Sequence, residues 1–234
     1  MMNIIKGEIK KVNVRGCLKM LPICMVLLLV FMYFFAGVSL AKPEEVKNNS
    51  EIGTYQFIYQ MGTLLALCIF SVVSSIVNSR LIVEEYTTEK TYLLFSYPVN
   101  RKHLFLVKTI VGMVVSILLT IVGTGLTFIL FHFSESLFSI VPDTFDSSLV
   151  LKLAVSLLII SVLAAMVGIF SMAIGLYKRS IAVTVSSAIV FAAVLSNMFV
   201  LDNLMVSLIS VVAVCCIAVV VVYFQGNKIN ALEV

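Results

Sequence analysis

The side chains with the clearest catalytic potential are three clustered glutamates and two histidines. The glutamates are Glu84, Glu85 and Glu89, and the histidines are His103 and His132. Such groups act as general acids, general bases and metal ligands. Neither histidine has a cysteine nearby and the chain has no CxxC pair, so a zinc site is not indicated. The motifs GxxxxGKS/T, GxSxG and HExxH are also absent, so the sequence offers no phosphate-binding loop for ATP.

One pair of short motifs is similar to those of the CAAX-type intramembrane proteases. Glu84 and Glu85 match part of EExxxR, and Phe128 with His132 matches FxxxH. Glu89 occupies the arginine position, where its charge repels the two carboxylates instead of orienting them. An apolar stretch that would rise about 35–40 Å as a helix separates the glutamates from His132. Acid, base and water would not meet, so the sequence argues against this enzyme class.

The composition is that of an integral membrane protein. Of 234 residues, 61% are hydrophobic and only 12% are charged, and the mean hydropathy is +1.14. Soluble domains carry about 25% charged residues, so soluble enzymes and secreted disulfide scaffolds are excluded. The net charge of +4 resides in links between apolar runs, without the dense basic cluster that nucleic-acid binding requires.

Six apolar stretches predict six membrane-spanning helices, at residues 21–40, 57–77, 104–131, 153–176, 181–201 and 204–224. We expect an all-α protein with one transmembrane domain over 21–234. Lys108 is the only charged residue inside these stretches, and its long side chain is expected to snorkel to the interface. Only Asp202 and Asn203 join the last two spans, which predicts a tight antiparallel pair.

Lysine and arginine concentrate in the N-terminal arm and in the links after spans two and four. The positive-inside rule therefore predicts that both termini are cytoplasmic. The arm, residues 1–20, places apolar residues among basic ones at helical spacing. This pattern predicts an amphipathic helix lying on the inner membrane surface, with a loosely ordered basic flank as the alternative.

The link at residues 80–103 is the cytoplasmic segment best suited to contact a partner. Thr87 or Thr88 can cap a short helix there, and Pro98 ends it. Its apolar contact surface consists of Tyr92, Leu93, Leu94 and Phe95. An amphipathic helix of this kind lies either on lipid headgroups or in a groove of a partner protein, and its acidic beginning favours the partner.

This segment resembles the first cytoplasmic loop of the ABC-2 type permeases, the membrane subunits of ATP-driven exporters. The family pattern is an acidic residue, a Gly-Thr step, paired leucines, Pro-x-x-Arg and a downstream lysine. It is matched here by Glu85, Thr91, Leu93, Leu94, Ser96, Pro98, Val99, Arg101 and Lys108. Lys90 departs from the family's glycine, and Asp202-Asn203 is shorter than the corresponding link of many relatives. The number of spans and the predicted termini agree with the family over essentially the full chain.

The resemblance implies that the segment is a coupling helix seated in a separate cytoplasmic ATPase, which binds ATP and Mg. The implied coupling residues are Glu84, Glu85, Thr91, Tyr92, Leu93, Leu94, Pro98 and Arg101. It also implies two ATPase copies, a second permease that is either identical or paired, and no catalytic residue in this chain. Short members resemble bacterial bacteriocin-immunity, bacitracin-resistance and peptide-toxin exporters. An amphipathic peptide is thus the expected substrate, with small drugs, sodium and lipids as alternatives.

Two polar stripes have two interpretations each. Span two carries Ser71, Ser74, Ser75 and Asn78, and span five carries Thr184, Ser187, Ser196 and Asn197. By family analogy they line a substrate pathway or a permease–permease interface; otherwise they hydrogen-bond neighbouring helices. The small residues Ser161, Ala164, Gly168, Ser171 and Gly175 of span four predict close helix packing. The alternative function is a six-span substrate-binding subunit, as in vitamin uptake, which would bind its ligand inside one bundle.

Overall fold

The computed structural model describes residues 14–41, 54–87, 101–138, 140–141, 147–199 and 204–230. Its helices are α1 (Val14–Ala41), α2 (Tyr55–Asn78), a π-helical turn (Ser79–Val83), α3 (Glu84–Thr87), α4 (Arg101–Phe138), α5 (Ser147–Lys178), α6 (Ile181–Phe199) and α7 (Leu204–Asn230). These ranges contain no strand. Five helices have stretches long and apolar enough to cross a membrane, and α6 has a shorter apolar run, Ile181–Asn197. The prediction of an all-helical, multi-pass membrane protein is confirmed.

Two boundaries differ from the predicted ones. Residues 14–20 of the predicted arm are continuous with span one in α1, and residues 1–13 lie outside the described part of the chain. Span two does not end at 77, because the helix passes through the π-helical turn to Thr87. Thr87 is the last described residue of this continuous helix. Residues 88–100, which include Thr88, lie outside the described ranges.

Helices α2 and α5 form the centre of the bundle and make its most extensive helix–helix contact. A Cβ added at Gly168 of α5 would collide with Ser74 Oγ and Asn78 Nδ2 of α2. A Cβ at Gly175 would likewise collide with Thr184 Oγ1 of α6. Small residues thus let three helices approach closely, which is the packing role predicted for this face of α5.

A two-residue turn joins α5 to α6. Arg179 adopts a left-handed conformation with φ of 50°, and the Ser180 N–H donates to the Gly175 carbonyl at 3.2 Å. This hydrogen bond closes the C-terminus of α5 in the manner of a Schellman motif. The turn directs α6 back along α5.

The predicted tight pairing of the last two spans is wrong. Helix α7 packs mainly on α5 and α4 and touches α6 much less. Ala218 of α7 is buried in a cluster with Met166 and Ile169 of α5, and Gln225 Nε2 donates to the Ala173 carbonyl at 3.0 Å. Helix α6 packs instead on α2 and α5.

The two ends of the bundle differ in chemistry. We call the end formed by α3, the start of α4 and the ends of α5 and α7 the basic end, because it carries Arg80, Lys102, Lys178 and Arg179. At the opposite end, the Tyr59 ring packs edge-on against Phe128 and Phe131, with centroids 5.2 and 5.7 Å apart. This aromatic contact joins α2 to α4.

Glu135 is buried at the end of the bundle opposite the basic end. Helix α4 continues to Phe138, beyond the end of the predicted span at 131. The Glu135 side chain is only 2% exposed, and its Oε2 accepts hydrogen bonds from the backbone N–H groups of Ile140 at 3.0 Å and Val141 at 3.1 Å. The carboxylate therefore fixes the backbone that follows α4.

The close approach of α2 and α5 predicts that Gly168→Ala destabilises the bundle. The new methyl group forces Ser74 and Asn78 to move, and such overpacking costs about 1–3 kcal/mol. Gly125→Ala is the control, because its Cβ would meet only Leu157 Cδ1 at 3.6 Å. Thermal unfolding in detergent should show a lower Tm for Gly168→Ala and an unchanged or higher Tm for the control. Equal Tm values would contradict the described packing.

The hydrogen bonds of Glu135 predict that Glu135→Ala lowers the Tm. Hydrogen bonds to a charged group contribute about 1.5–3 kcal/mol each, and two backbone donors lose their partner. Ser136→Ala is the control, since the Ser136 side chain is exposed and bonds only its own helix, to the Phe133 carbonyl. A Glu135→Ala variant as stable as Ser136→Ala would show that the carboxylate does not hold this turn.

Candidate functional site

The described part of the predicted coupling segment begins with the π-helical turn. Leu81, Ile82 and Val83 are buried in one apolar cluster with Phe105 of α4 and Met172 of α5. The helix therefore continues past Asn78 and stays packed on α4 and α5. Single π-helical turns inside α-helices frequently occur at functional sites. Here the turn lies directly before the first two predicted coupling residues.

A buried ion pair connects α3 to α4. Lys108 Nζ contacts Glu85 Oε2; the Lys108 side chain is completely buried and that of Glu85 is 18% exposed. The expectation that Lys108 snorkels to the interface is therefore wrong, because its charge is neutralised inside the protein. The Tyr86 ring packs edge-on against Phe105, with centroids 6.2 Å apart, and adds an apolar contact between the same helices.

The structure describes part of the predicted coupling set. Glu84 and Glu85 lie half-buried on α3, and Arg101 is the first residue of α4. The remaining predicted coupling residues, Thr91, Tyr92, Leu93, Leu94 and Pro98, fall in 88–100, outside the described residues. The two charged ends of the family pattern, Glu85 and Lys108, are thus brought together although 23 positions separate them.

The protease-like motifs do not form a site. Glu85 contacts Lys108 near the start of α4, whereas the exposed His132 lies near the end of that helix. The 24 residue steps from Lys108 to His132 correspond to about 36 Å of α-helix. A carboxylate and an imidazole that far apart do not share a water molecule or a substrate bond. Within the described residues, no group of three or more His, Cys, Asp or Glu side chains could hold a metal ion.

The polar stripe of α2 is buried between helices. Ser74 Oγ donates to Ser116 Oγ of α4 at 2.9 Å, and Ser75 Oγ donates to the Thr184 carbonyl of α6 at 3.0 Å. Asn78 Nδ2 donates to the Ser74 carbonyl of its own helix at 3.1 Å. Three helices are therefore joined by hydrogen bonds at one level. Ser71 Oγ and Asn78 Oδ1 are buried and have no hydrogen-bond partner within the described ranges.

The polar residues of α6 divide into two groups. Thr184 is fully buried against α5, and Ser187 Oγ donates to the Thr184 carbonyl at 2.9 Å. Ser196 and Asn197 lie about three turns further on, and both donate to the Ala193 carbonyl, at 2.9 and 2.8 Å. The structure brings Thr184 to the α2 stripe and leaves Asn197 exposed at the other end of the helix.

Sequence reasoning missed the α4 side of this polar contact. Ser116 Oγ accepts a hydrogen bond from the Ser74 hydroxyl and donates one to the Gly112 carbonyl at 2.8 Å. Gly112 lies against Asn78, where an added Cβ would collide with Asn78 Oδ1. A glycine and a serine four residues apart in an apolar run are a signal of a close polar helix contact, and the sequence contains that signal here.

The chain has recognisable relatives. Residues 4–194 match the family model for "ABC-2 family transporter protein". The chain is also similar to an uncharacterized protein of Bacillus subtilis (strain 168), YcbO, with 21% identity over 203 residues that cover 84% of each chain. No solved structure shows a significant match.

The buried ion pair predicts a non-additive pattern of stability. Glu85→Gln removes one carboxylate from the buried Lys108 ammonium, and breaking a buried ion pair by removing one partner costs about 3–5 kcal/mol. Glu85→Gln/Lys108→Met removes both charges, so the double variant should unfold at a higher temperature than Glu85→Gln alone. Thermal unfolding of the two single variants and the double variant measures this coupling. Strictly additive losses would mean that the two charges do not interact.

Proposed function

This chain belongs to the ABC-2 family of transporter proteins, and we propose that it is the membrane permease of an ATP-driven exporter. ATP and Mg bind to a separate cytoplasmic ATPase, and residues 84–101 carry its motion to the spanning helices. The observation that supports this role most is the buried contact of Glu85 with Lys108, which ties both flanks of that segment to the bundle. The resemblance of the segment to the family's coupling loop supports it independently.

The proposed mechanism follows from how the segment is bounded. Residues 88–100 connect α3 to α4, and the ion pair with the Tyr86–Phe105 contact holds those two helices together. A displacement of the segment by the ATPase would move α3 and the start of α4 as one body. Because α3 continues into α2 through the π-helical turn, the displacement would reach the central polar contact of Ser74 and Ser116.

We further propose that the basic end faces the cytoplasm of a bacterial cell, with both termini on that side. Arg80, Lys178 and Arg179 are exposed at this end, which agrees with the positive-inside rule. By family analogy, two permeases, identical or paired, work with two ATPases. The proposed substrate is an amphipathic antimicrobial or toxin peptide, so the complex would serve self-immunity, antibiotic resistance or secretion.

The coupling role predicts that Leu93→Asp/Leu94→Asp separates the permease from its ATPase. Two carboxylates in an apolar protein interface should reduce the ATPase co-purified per permease about tenfold or more. Tyr177→Asp is the control, because Tyr177 is exposed at the same end on α5, outside the segment. Quantitative mass spectrometry of complexes purified from the native host measures the ratio. Unfolding of the spans is checked by the Tm, which neither change should lower substantially.

The substrate proposal is tested in the same strains. Cells that express the permease with its ATPase should tolerate higher concentrations of at least one amphipathic antimicrobial peptide in a panel, and the Leu93→Asp/Leu94→Asp variant should lose that protection. Protection that persists in this variant would contradict coupling through the segment. Tight ligand binding by a single purified chain, without any ATPase, would instead identify a substrate-binding subunit.

A further inference from the structure

An apolar cleft of about 350 Å³ lies between α4, α5 and α7. Its walls include Leu106 and Met113 of α4, Met166 of α5, and Val219 of α7. Ile110 and Val219 line the cleft and are 58% and 70% exposed. Both side chains lie on the outer surface of the bundle, so the cleft opens to the outside of the bundle rather than toward its centre.

The basic-end mouth of the cleft is cationic. Lys102 lies at this mouth, where its Nζ donates to Asn227 Oδ1 at 2.7 Å. The same Nζ lies 4.8 Å from the centre of the Tyr223 ring. These two contacts from α7 hold the ammonium group at the rim of the apolar cleft. Tyrosine rings are enriched at the membrane interface, so this end of the cleft belongs at headgroup level.

We propose that the cleft binds one anionic phospholipid, with an acyl chain between α4 and α7 and the phosphate beside Lys102. Hydrocarbon is the medium that surrounds this surface, and an acyl chain restores the dispersion contacts that an empty apolar cleft lacks. Basic pockets between spanning helices on the cytoplasmic side bind anionic headgroups. The proposal depends on the proposed orientation only for the choice of the cytoplasmic leaflet.

The position of the charge favours a phospholipid over a peptide substrate. The cleft has a cation at one end, beside the Tyr223 ring, and the rest of its described lining is apolar apart from the Thr109 hydroxyl and the Cys215 thiol. The Thr109 hydroxyl donates to the Phe105 carbonyl at 2.9 Å. This single-ended arrangement matches the charged head and apolar tail of a lipid. Among the described residues that line the cleft, none has a carboxylate that would bind the cationic groups of an antimicrobial peptide.

Native mass spectrometry of the full-length chain in a neutral detergent tests the site without the ATPase. Phosphatidylglycerol and phosphatidylcholine are titrated separately. Lys102→Gln should lower phosphatidylglycerol binding about fivefold, the factor one basic residue near an anionic surface supplies, and should leave phosphatidylcholine binding unchanged. Val219→Trp, which narrows the open side of the cleft, should lower the binding of both lipids.

Lys178→Gln is the matched control, because Lys178 is an exposed lysine at the same end, 5.8 Å from the Tyr177 ring centre, and does not line the cleft. It should leave the binding of both lipids unchanged. If Lys102→Gln and Lys178→Gln lowered phosphatidylglycerol binding equally, the lipid would be attracted to the basic surface in general and not to this cleft.

Competition experiments separate the remaining possibilities. Displacement of the lipid by glycerol phosphate alone would exclude the acyl-chain contact, and preferential displacement by a cationic peptide would assign the cleft to substrate. These measurements contain no ATPase. A failure of the proposed coupling to an ATPase would therefore leave the lipid-binding results unchanged.

Discussion

The structure depends on the burial of one positive charge. Lys108 is completely buried inside the protein, and a charged group taken out of water is costly unless it is paired and hydrogen-bonded. Glu85 supplies the compensating charge from α3, so the helix that follows span two has to continue to this point and remain against α4. The π-helical turn, the buried run Leu81–Val83 and the position of the following segment are all consistent with this single requirement.

Further into the bundle from the ion pair, the helices cross at positions occupied by small residues. Gly112 and Gly168 leave room for Asn78 and Ser74, and the Ser74–Ser116 hydrogen bond joins α2 to α4 in the space that remains. In a membrane, helices associate through such close packing and polar contacts because lipid offers no hydrophobic driving force between them. Charge pairing at the basic end and small-residue packing at mid-depth together make α2, α4 and α5 a connected unit.

The sequence predicted the features that periodicity and composition control. Five of the six predicted apolar runs matched helices long and apolar enough to cross a membrane, and the sixth matched the shorter apolar run of α6, because a spanning helix has to be apolar along its length. The predicted position of the Lys108 side chain was wrong. That prediction considered only where Lys108 lies in its own span, whereas its partner Glu85 lies 23 residues away in the sequence. Glu135 and the packing of α7 were missed for a similar reason, since both depend on tertiary neighbours. Both ends of the Glu85–Lys108 pair stood in the family pattern, yet the pattern alone gave no indication that they touch.

The most direct test of the central claim is site-specific photo-crosslinking in the native host. A photoreactive benzoylphenylalanine replaces Leu94 in the segment that α3 and α4 flank, and a second strain carries it at Tyr177 of α5. We predict that irradiation of the Leu94 strain links the permease to a protein containing GxxxxGKS/T, identified by peptide sequencing, and that the Tyr177 strain gives far less of this product. Crosslinks from Leu94 only to lipid or to a second copy of the chain would contradict coupling through this segment.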